Sequence, residues 1–223
     1  AINFRANIYG MKKLGVEWII SVSAVGSMRE DIKPGHIVIP DQFFDRTKGR
    51  INTFFGNGIV GHVEFAEPVC HDLSSIMFDV CGDLNITAHK DGTYICIEGP
   101  QFSTKAESKI YRKWGVDVIG MTNIPEAKLA REAEICYATL ALSTDYDCWH
   151  ETEESVTVEM ILETIRNNVA NAKAIIKNAV LKIDPARKCK CASAMKYAIV
   201  TDKKAIPVKI KRDLKPIIGK YLS

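Results

Sequence analysis

The stretch WIISVS at residues 18–23 is a short and almost entirely apolar run. Such a run is typical of a strand buried on both faces of a sheet. Residues 93–97 and 137–143 have the same character, and helical patterns separate the three runs. Alternating helices and buried strands are typical of a helix-flanked, largely parallel sheet. The sequence therefore predicts an α/β fold, a single domain with a mixed, mostly parallel central sheet flanked by helices.

Turn and capping residues set the predicted boundaries. Gly26-Ser27 is expected to end the first strand, and residues 41–67 are predicted to form a long irregular loop. A loop of that length in a compact domain is more often functional than idle. The other predicted strands cover residues 36–40, 93–97, 117–120 and 137–143, and the predicted helices cover 4–14, 68–82, 103–113, 125–134 and 158–182.

Composition favours a globular protein of the reducing cytoplasm. The chain is 47% hydrophobic and 26% charged, which is ordinary for a domain with a real core. No apolar run reaches the roughly 18–20 residues of a membrane span, and no signal-peptide pattern opens the chain. Seven cysteines are an odd number, and five lie in apolar or helical stretches. They are predicted to be buried free thiols rather than a disulfide framework.

The positive charge is concentrated at the C-terminal end. Residues 182–223 contain twelve Lys and Arg against three Asp, so the remainder of the chain is mildly acidic. We predict a domain over residues 1–181 and a basic C-terminal extension over 182–223. A basic segment can bind nucleic acid, but this one lacks interleaved Gly and aromatic residues. An ordinary extension or a subunit contact is expected, and neither nucleic-acid nor membrane binding is predicted.

Small and hydroxyl side chains follow two predicted strands. Ser23 and Ala24 lie at the end of the first strand, and Thr122 comes just after residues 117–120. Ligands of open α/β sheets bind beyond the carboxyl ends of the strands. Backbone N–H groups and hydroxyls at such places can hold an anion. The alternatives are a plain turn at Ser23 and a helix cap at Thr122.

Acidic and aromatic side chains follow two further strands. Asp145 and Asp147 come just after residues 137–143, and Phe102 follows the 93–97 strand. Two carboxylates at a strand end are costly to bury unless something uses them, and they suit an amino-substituted ring or general-acid chemistry. The alternatives are two solvated loop aspartates and a core position for Phe102. A ring at Phe102 could otherwise stack on a flat ligand.

Two features carry weaker signals. His62 lies alone in the long loop, where a histidine is more often structural or solvent-facing than catalytic. Cys189-Lys190-Cys191 lies in the basic extension with no partner His or Cys pair nearby in the sequence, so zinc is not expected there. No metal site is predicted.

Taken in order, these segments resemble the 5′-methylthioadenosine phosphorylase branch of the trimeric purine-nucleoside phosphorylases. The match runs from about residue 2 to residue 180. Its specificity comes from many short motifs in consistent order rather than from any one of them. The motifs are NFRANI (3–8), SAVGSMRE (23–30), PDQF (40–43), AEP (66–68), IEGPQFS (97–103), GMT (120–122), PE (125–126) and TDYDCW (144–149).

The resemblance implies phosphorolysis, in which phosphate attacks the anomeric carbon of a nucleoside and the purine leaves. Phosphate is then a co-substrate, and no cofactor is expected. Carried over by position, the aspartates would act on the purine, and Ser23, Ala24 and Thr122 would hold phosphate. The other implied site residues are Phe102, Ser103, Met121 and Thr144 around the base and ribose, and His62, Val158, Ile161 and Leu162 around the 5′ substituent.

The same resemblance implies a substrate and an assembly. An ionised carboxylate near position 6 of the purine favours adenine over hypoxanthine, because a mismatched buried polar pair is costly. The apolar wall favours methylthio over hydroxyl at the 5′ position. A homotrimer or a dimer of trimers is expected. The alternatives are a broader adenosine or inosine phosphorylase, an inactive nucleoside-binding subunit, and a nucleic-acid binder acting through the basic extension.

Two departures from the family pattern stand out. The family's first strand with its Gly-rich phosphate loop, and the Arg-His segment after it, should precede Ala1, so the chain is expected to be N-terminally incomplete. Relatives can carry Cys-x-Cys near the end of the chain, and the resemblance therefore also implies a possible disulfide between Cys189 and Cys191.

Overall fold

The computed structural model describes residues 2–150 and 158–222, and the side chains of residues 158–161 lie outside the description. In this part of the chain no helix combines the length and the apolar character that a bilayer crossing needs. The strands are β1 (Trp18–Ser27), β2 (Ile37–Ile39), β3 (Gln42–Arg46), β4 (Ala88–Lys90), β5 (Thr93–Ile97), β6 (Val118–Gly120) and β7 (Cys136–Tyr146). The helices are α1 (Phe4–Lys13), α2 (His71–Asp83), α3 (Lys105–Lys113), α4 (Asn123–Glu132), α5 (Val158–Lys182), α6 (Val208–Asp213) and α7 (Lys215–Leu222).

The strands form one twisted layer between helices. Across the described residues, seven strands pair in the order β3-β5-β6-β1-β7-β2-β4. Four neighbouring pairs are parallel, and β1–β6 and β2–β7 are antiparallel. The longest pairing is parallel, from Trp18 opposite Cys136 to Ser27 opposite Tyr146. The predicted α/β fold with a mixed, mostly parallel sheet is confirmed.

The expectation that Gly26-Ser27 ends the first strand is wrong. β1 continues through both residues because they pair with β6 on one side and β7 on the other. A register shift between Val25 and Gly26 accommodates the bend. A Cβ atom at Gly26 would lie 3.1 Å from Cγ2 of Ile119 and 3.4 Å from Cβ of Asp147. Gly26 is therefore required for close packing of strands rather than for a break.

Strand pairing also extends beyond the other predicted boundaries. β3 lies inside the segment predicted to be irregular, and its parallel pairing with β5 supplies a partner that the sequence pattern does not reveal. β4 was not predicted, and it pairs with β2. β7 runs past Ser143 to Tyr146, so Thr144 and Asp145 belong to the strand itself. Tertiary pairing overrides local propensity in all three places.

The two faces of the sheet are covered by different helices. Tyr137 and Ala141 of β7 belong to a core cluster with residues of α1 and α4. Cys136, Ala138 and Leu140 belong to a second cluster with residues of α2 and α5. Because neighbouring side chains on a strand point to opposite faces, β7 contributes to both cores at once. This explains why its run from Cys136 to Ser143 is buried throughout.

The basic extension packs against the first of these clusters. Its apolar residues Met195, Ala198, Ile206, Ile217 and Ile218 are buried there with α1 and α4. The extension is therefore basic overall, but it is folded and buries an apolar face against the domain.

Glu134 is the polar anchor of this contact. The residue follows α4 and is 1% exposed. Its Oε1 accepts hydrogen bonds from the backbone N–H of Met195 at 3.0 Å and from the hydroxyl of Tyr221 at 2.5 Å. Its Oε2 lies 2.5 Å from Nζ of Lys220. A buried carboxylate held in this way ties two separate segments of the extension to the sheet domain.

Replacing Glu134 by glutamine keeps the shape of the side chain and removes its charge. We expect Glu134→Gln to lower the free energy of unfolding by about 1.5 kcal/mol, because hydrogen bonds to a charged group are stronger than neutral ones. Urea denaturation measures the loss, and Glu64→Gln at an exposed position is the matched control. Equal stability of the two variants would contradict this role for Glu134.

Candidate functional site

Three hydroxyl groups meet where the middle of β1, the start of β5 and the residues after β6 come together. The Oγ atom of buried Ser23 lies 3.0 Å from the hydroxyl of Tyr94 and 2.9 Å from Oγ1 of Thr122. The backbone N–H of Thr122 also donates to the Tyr94 hydroxyl, at 3.5 Å. The structure thus brings together the two hydroxyl residues predicted to hold an anion. It adds Tyr94, which the sequence pattern did not single out.

The hydroxyl cluster continues into a wider polar network. Oγ of Ser23 also donates to the carbonyl of Ala24 at 3.4 Å. Oγ1 of Thr122 donates to Oδ1 of Asn123 at 3.1 Å, and Nδ2 of Asn123 donates to Oγ1 of Thr139. Each hydroxyl has one proton to share among these acceptors, and burial raises the pKa of the Tyr94 hydroxyl. An anion that binds here would accept hydrogen bonds that otherwise go to neighbouring oxygens.

Gly120 makes room for the tyrosine. A Cβ atom at Gly120 would lie 2.0 Å from the Tyr94 hydroxyl oxygen and 2.7 Å from its Cζ. No side chain larger than hydrogen fits there while the tyrosine stays in place. Gly99 has a φ of 70° and makes room for Met121 in the same way. A Cβ atom at Gly99 would lie 2.7 Å from the sulfur of Met121. Two glycines therefore set the positions of two site side chains.

A cavity of about 750 Å³ opens beside the cluster. Such a volume suits a small organic ligand. Arg50 closes one side, where its Nη1 donates to the carbonyl of Met121 at 2.7 Å and its Nη2 to the carbonyl of Glu98 at 2.8 Å. The lining residues include Phe4, Arg5, Ser21, Arg50, Glu98, Met121, Thr122 and Glu126.

Arg50 was missed, although it lies in the long loop expected to be functional. The loop reaches the cavity because the carboxylate of Glu98 accepts hydrogen bonds from the backbone N–H groups of Lys48 at 2.5 Å and Gly49 at 3.3 Å. These bonds lower the pKa of Glu98 and keep it ionised. A charged residue inside a Gly-containing loop was the available signal. Tyr94 offered none beyond its place in a buried strand.

The two aspartates lie at the end of β7. Oγ1 of Thr144 is 2.6 Å from Oδ1 of Asp145 and 3.2 Å from the carbonyl of Val25. The protein around the Asp145 carboxyl group reduces its hydration and raises its pKa. The hydrogen bond from Thr144 opposes that shift, and the charge of Asp147 adds to it. Asp145 therefore holds a proton to higher pH than an ordinary aspartate.

Asp147 is fixed by backbone pairing and by the residues after it. Its N–H donates to the carbonyl of Ser27 at 3.1 Å. The same carbonyl accepts from Nε1 of Trp149 at 2.8 Å, and the guanidinium of Arg112 lies 3.5 Å from the centre of the tryptophan ring. Sγ of Cys148 contacts both the carbonyl of Ser103 at 3.4 Å and Oδ2 of Asp147 at 3.8 Å. Cys148 thus links the backbone of Ser103 to the carboxylate of Asp147.

Phe102 occupies an open position. Its side chain is 84% exposed, so the alternative that it is a core residue is wrong. Ala24 is exposed as well, and its backbone pairs with that of Leu142 in β7. Both residues present an exposed surface.

The residues predicted around the 5′ substituent are not brought into the cavity described above. His62 lines a separate pocket of about 520 Å³, and its backbone N–H donates to the carbonyl of Ala198 at 2.8 Å. Leu162 lies on α5 and is 48% exposed. The side chains of Val158 and Ile161 lie outside the described residues.

Comparison with known proteins gives these features a context. The model of the family described as Phosphorylase superfamily matches residues 1–181. A relative from Geobacter sulfurreducens, named S-methyl-5′-thioadenosine phosphorylase, is 65% identical over 222 residues, which are 99% of this chain and 78% of the relative.

Solved structures agree with the sequence match. A methylthioadenosine phosphorylase from an antarctic soil metagenomic library superimposes with a TM-score of 0.92 at 48% identity, covering 96% of this chain and 76% of that one. The methylthioadenosine phosphorylase of Schistosoma mansoni in complex with adenine gives a TM-score of 0.80 at 36% identity, covering 87% of this chain and 75% of that one.

The contact between Gly120 and Tyr94 gives a direct test of the hydroxyl cluster. We expect Gly120→Ala to lower the free energy of unfolding by roughly 1–3 kcal/mol, the usual cost of overpacking. Adding Tyr94→Phe should restore part of the loss, because it removes the atom nearest to the new methyl group. Thermal and urea denaturation measure both. Gly82→Ala, where the methyl group would meet open space, is the control. Additive losses in the double variant would contradict this packing.

Proposed function

Since this chain belongs to the phosphorylase superfamily, we propose that it cleaves 5′-methylthioadenosine with inorganic phosphate to adenine and 5-methylthioribose 1-phosphate. The observation that carries the proposal is the relative of that name, 65% identical over 99% of this chain. Solved relatives named for the same nucleoside superimpose on nearly the whole fold. The resemblance stated from the short motifs is confirmed, and the enzyme is a pentosyltransferase.

Phosphate would be held at the hydroxyl cluster. Ser23 and Thr122 would turn their O–H groups toward the anion, with the backbone of Ala24 beside them and Tyr94 behind Ser23. In the reaction a phosphate oxygen forms a bond to the anomeric carbon as the bond from that carbon to the purine nitrogen breaks. The transition state resembles an oxocarbenium ion. An anion fixed beneath the sugar stabilises that positive charge.

The purine would lie against the aspartates. Asp145, with its raised pKa, would donate a proton or hydrogen bond on the N7 side as negative charge develops on the leaving base. Asp147 would accept from the 6-amino group. The exposed ring of Phe102 would stack on the base, with Ser103 and Thr144 beside it. The backbone of Met121 would contact a ribose hydroxyl from the wall of the cavity.

Selectivity would follow from the same contacts. A 6-oxopurine presents an acceptor to Asp147, so a carboxylate acceptor there disfavours hypoxanthine nucleosides. At the 5′ end, Val158, Ile161 and Leu162 on one face of α5 would receive the methylthio group, with His62 near it. This discrimination against a hydroxyl is weaker, because an apolar wall rejects a polar group only modestly.

A homotrimer, or a dimer of trimers, is the proposed assembly. His62 opens into a different pocket from Met121 and Thr122, so a 5′ role for this residue fits a site completed by a neighbouring copy. A cytoplasmic location is proposed as well, because all seven cysteines are free, a state that a reducing compartment maintains.

Asparagine at each aspartate tests the base assignments. We expect Asp145→Asn to lower kcat/KM for methylthioadenosine by about 10²–10⁴, the usual contribution of a general acid. Asp147→Asn should also lower it, but should narrow the preference for methylthioadenosine over methylthioinosine by on the order of tenfold or more, since one mismatched polar contact is removed. Asp79→Asn on the exposed face of α2 is the control. An unchanged preference in Asp147→Asn would refute its role at position 6.

The pH profile tests Asp145 separately. Its acid form is the active one, so kcat/KM should decline as the pH rises through its raised pKa. Asp147→Asn removes a charge that raises this pKa, and the decline should move to lower pH. Thr144→Val removes the hydrogen bond that opposes the shift, and the decline should move to higher pH. Displacements of the two profiles in the same direction would rule out Asp145 as the titrating group.

A further inference from the structure

Four cysteines that phosphorolysis does not use meet on the opposite side of the sheet from the hydroxyl cluster. The sulfur atoms of Cys70, Cys136, Cys189 and Cys191 all lie within 4.8 Å of one another. Three of these residues are buried and Cys189 is partly exposed. All are free thiols. Zinc was not expected from the sequence because no partner cysteines lie near Cys189 along the chain, but the fold supplies those partners.

The four positions are fixed by three different elements. Cys136 is the first residue of β7, and Cys70 precedes α2, with its backbone N–H donating to the carbonyl of Tyr137 at 2.8 Å. Cys189 and Cys191 belong to a short 3-10 helical turn over Lys190–Ser193 and the residue before it. The cluster is therefore positioned by the sheet, a helix start and the basic extension together.

The spacing suits a tetrahedral ion. Zinc binds cysteine sulfur at about 2.3 Å, which places the sulfurs of a Cys₄ site about 3.8 Å apart. Here Sγ of Cys136 lies 3.4 Å from Sγ of Cys189, and no pair exceeds 4.8 Å. Small adjustments of the side chains would bring all four to one centre. Four sulfur ligands leave no open position, as in structural rather than catalytic zinc sites.

We propose that Cys70, Cys136, Cys189 and Cys191 bind one structural Zn²⁺ ion. Each cysteine binds as a thiolate, so each thiol still protonated releases one proton to solvent, and no electron is transferred. The ion would join the basic extension to β7 and α2, close along the chain to Glu134, the other anchor of that extension, which lies just before Cys136.

A small pocket connects the four cysteines to solvent. It has a volume of about 160 Å³, and its lining includes Cys70 and Cys189 together with Arg187 and Lys188. Cys189 is the partly exposed member of the four. The pocket offers a metal ion a path from solvent to the thiols.

Metal analysis of the full chain tests the proposal. The protein is purified under reducing conditions from zinc-supplemented cells, and its metal content is measured by mass spectrometry. We expect about one zinc per chain, with X-ray absorption showing four sulfur ligands at about 2.3 Å. Cys81→Ser, which changes a buried cysteine outside the cluster, should keep the zinc. Cys189→Ser should lose most of it and melt at a lower temperature.

Three results would overturn the proposal. One is a wild-type protein that carries no stoichiometric zinc and gains none on titration of the reduced chain with Zn²⁺. Another is a different resident metal, or an X-ray absorption spectrum without four sulfur ligands. The third is a disulfide among these four cysteines in protein kept under reducing conditions, identified by mass spectrometry after thiol alkylation.

The X-ray absorption and titration arms use the wild-type chain, so they do not depend on whether Cys189→Ser folds. The X-ray absorption and the zinc titration do not depend on phosphorolysis. A failure of the zinc proposal can therefore be told apart from a failure of the proposed reaction.

Discussion

The parallel pairing of β1 with β7 is the constraint on which the rest of the molecule depends. It brings Ser23 level with Ala141 and Gly26 level with Asp145, so hydroxyl and carboxylate residues that are far apart in sequence lie on adjoining strands. The register shift at Val25 and Gly26 lets β1 bend without leaving β7. The register of the two strands therefore sets the separation between Ser23 and the two aspartates.

Residues behind the hydroxyl cluster and the aspartates hold this arrangement in place. Tyr94 backs Ser23 and Thr122, and it fits only because Gly120 has no side chain. Trp149, held under Arg112, ties the chain after Asp147 back to the end of β1. Hydrogen-bond donors that are held in place in this way stabilise charge that develops in a transition state without having to reorganise first.

Residues at strand ends were predictable from the sequence because two general rules apply to them. Buried apolar runs locate the strands, and ligands bind beyond their carboxyl ends. These two rules identify Thr122, Asp145 and Asp147 as candidates. They also selected Ser23, although β1 continues beyond it to Ser27. The specific nucleoside came from the resemblance of whole motifs to a family and not from any physical pattern in the residues.

The features that were missed depend on contacts between distant segments. β3 and β4 are short strands whose partners define them, and Arg50 reaches the cavity only through the hydrogen bonds of its loop to Glu98. The four clustered cysteines likewise come from three separate elements. Local periodicity contains no information about such contacts, because they are set by the packing of the sheet and its helices.

The most direct measurement of phosphorolysis by this protein is the release of adenine from 5′-methylthioadenosine in the presence and absence of inorganic phosphate. We expect release that requires phosphate and is matched mole for mole by a sugar phosphate detectable by phosphorus NMR. Release at the same rate without phosphate, yielding free methylthioribose, would show hydrolysis and contradict phosphorolysis. Binding of adenine analogues without any cleavage would contradict it as well.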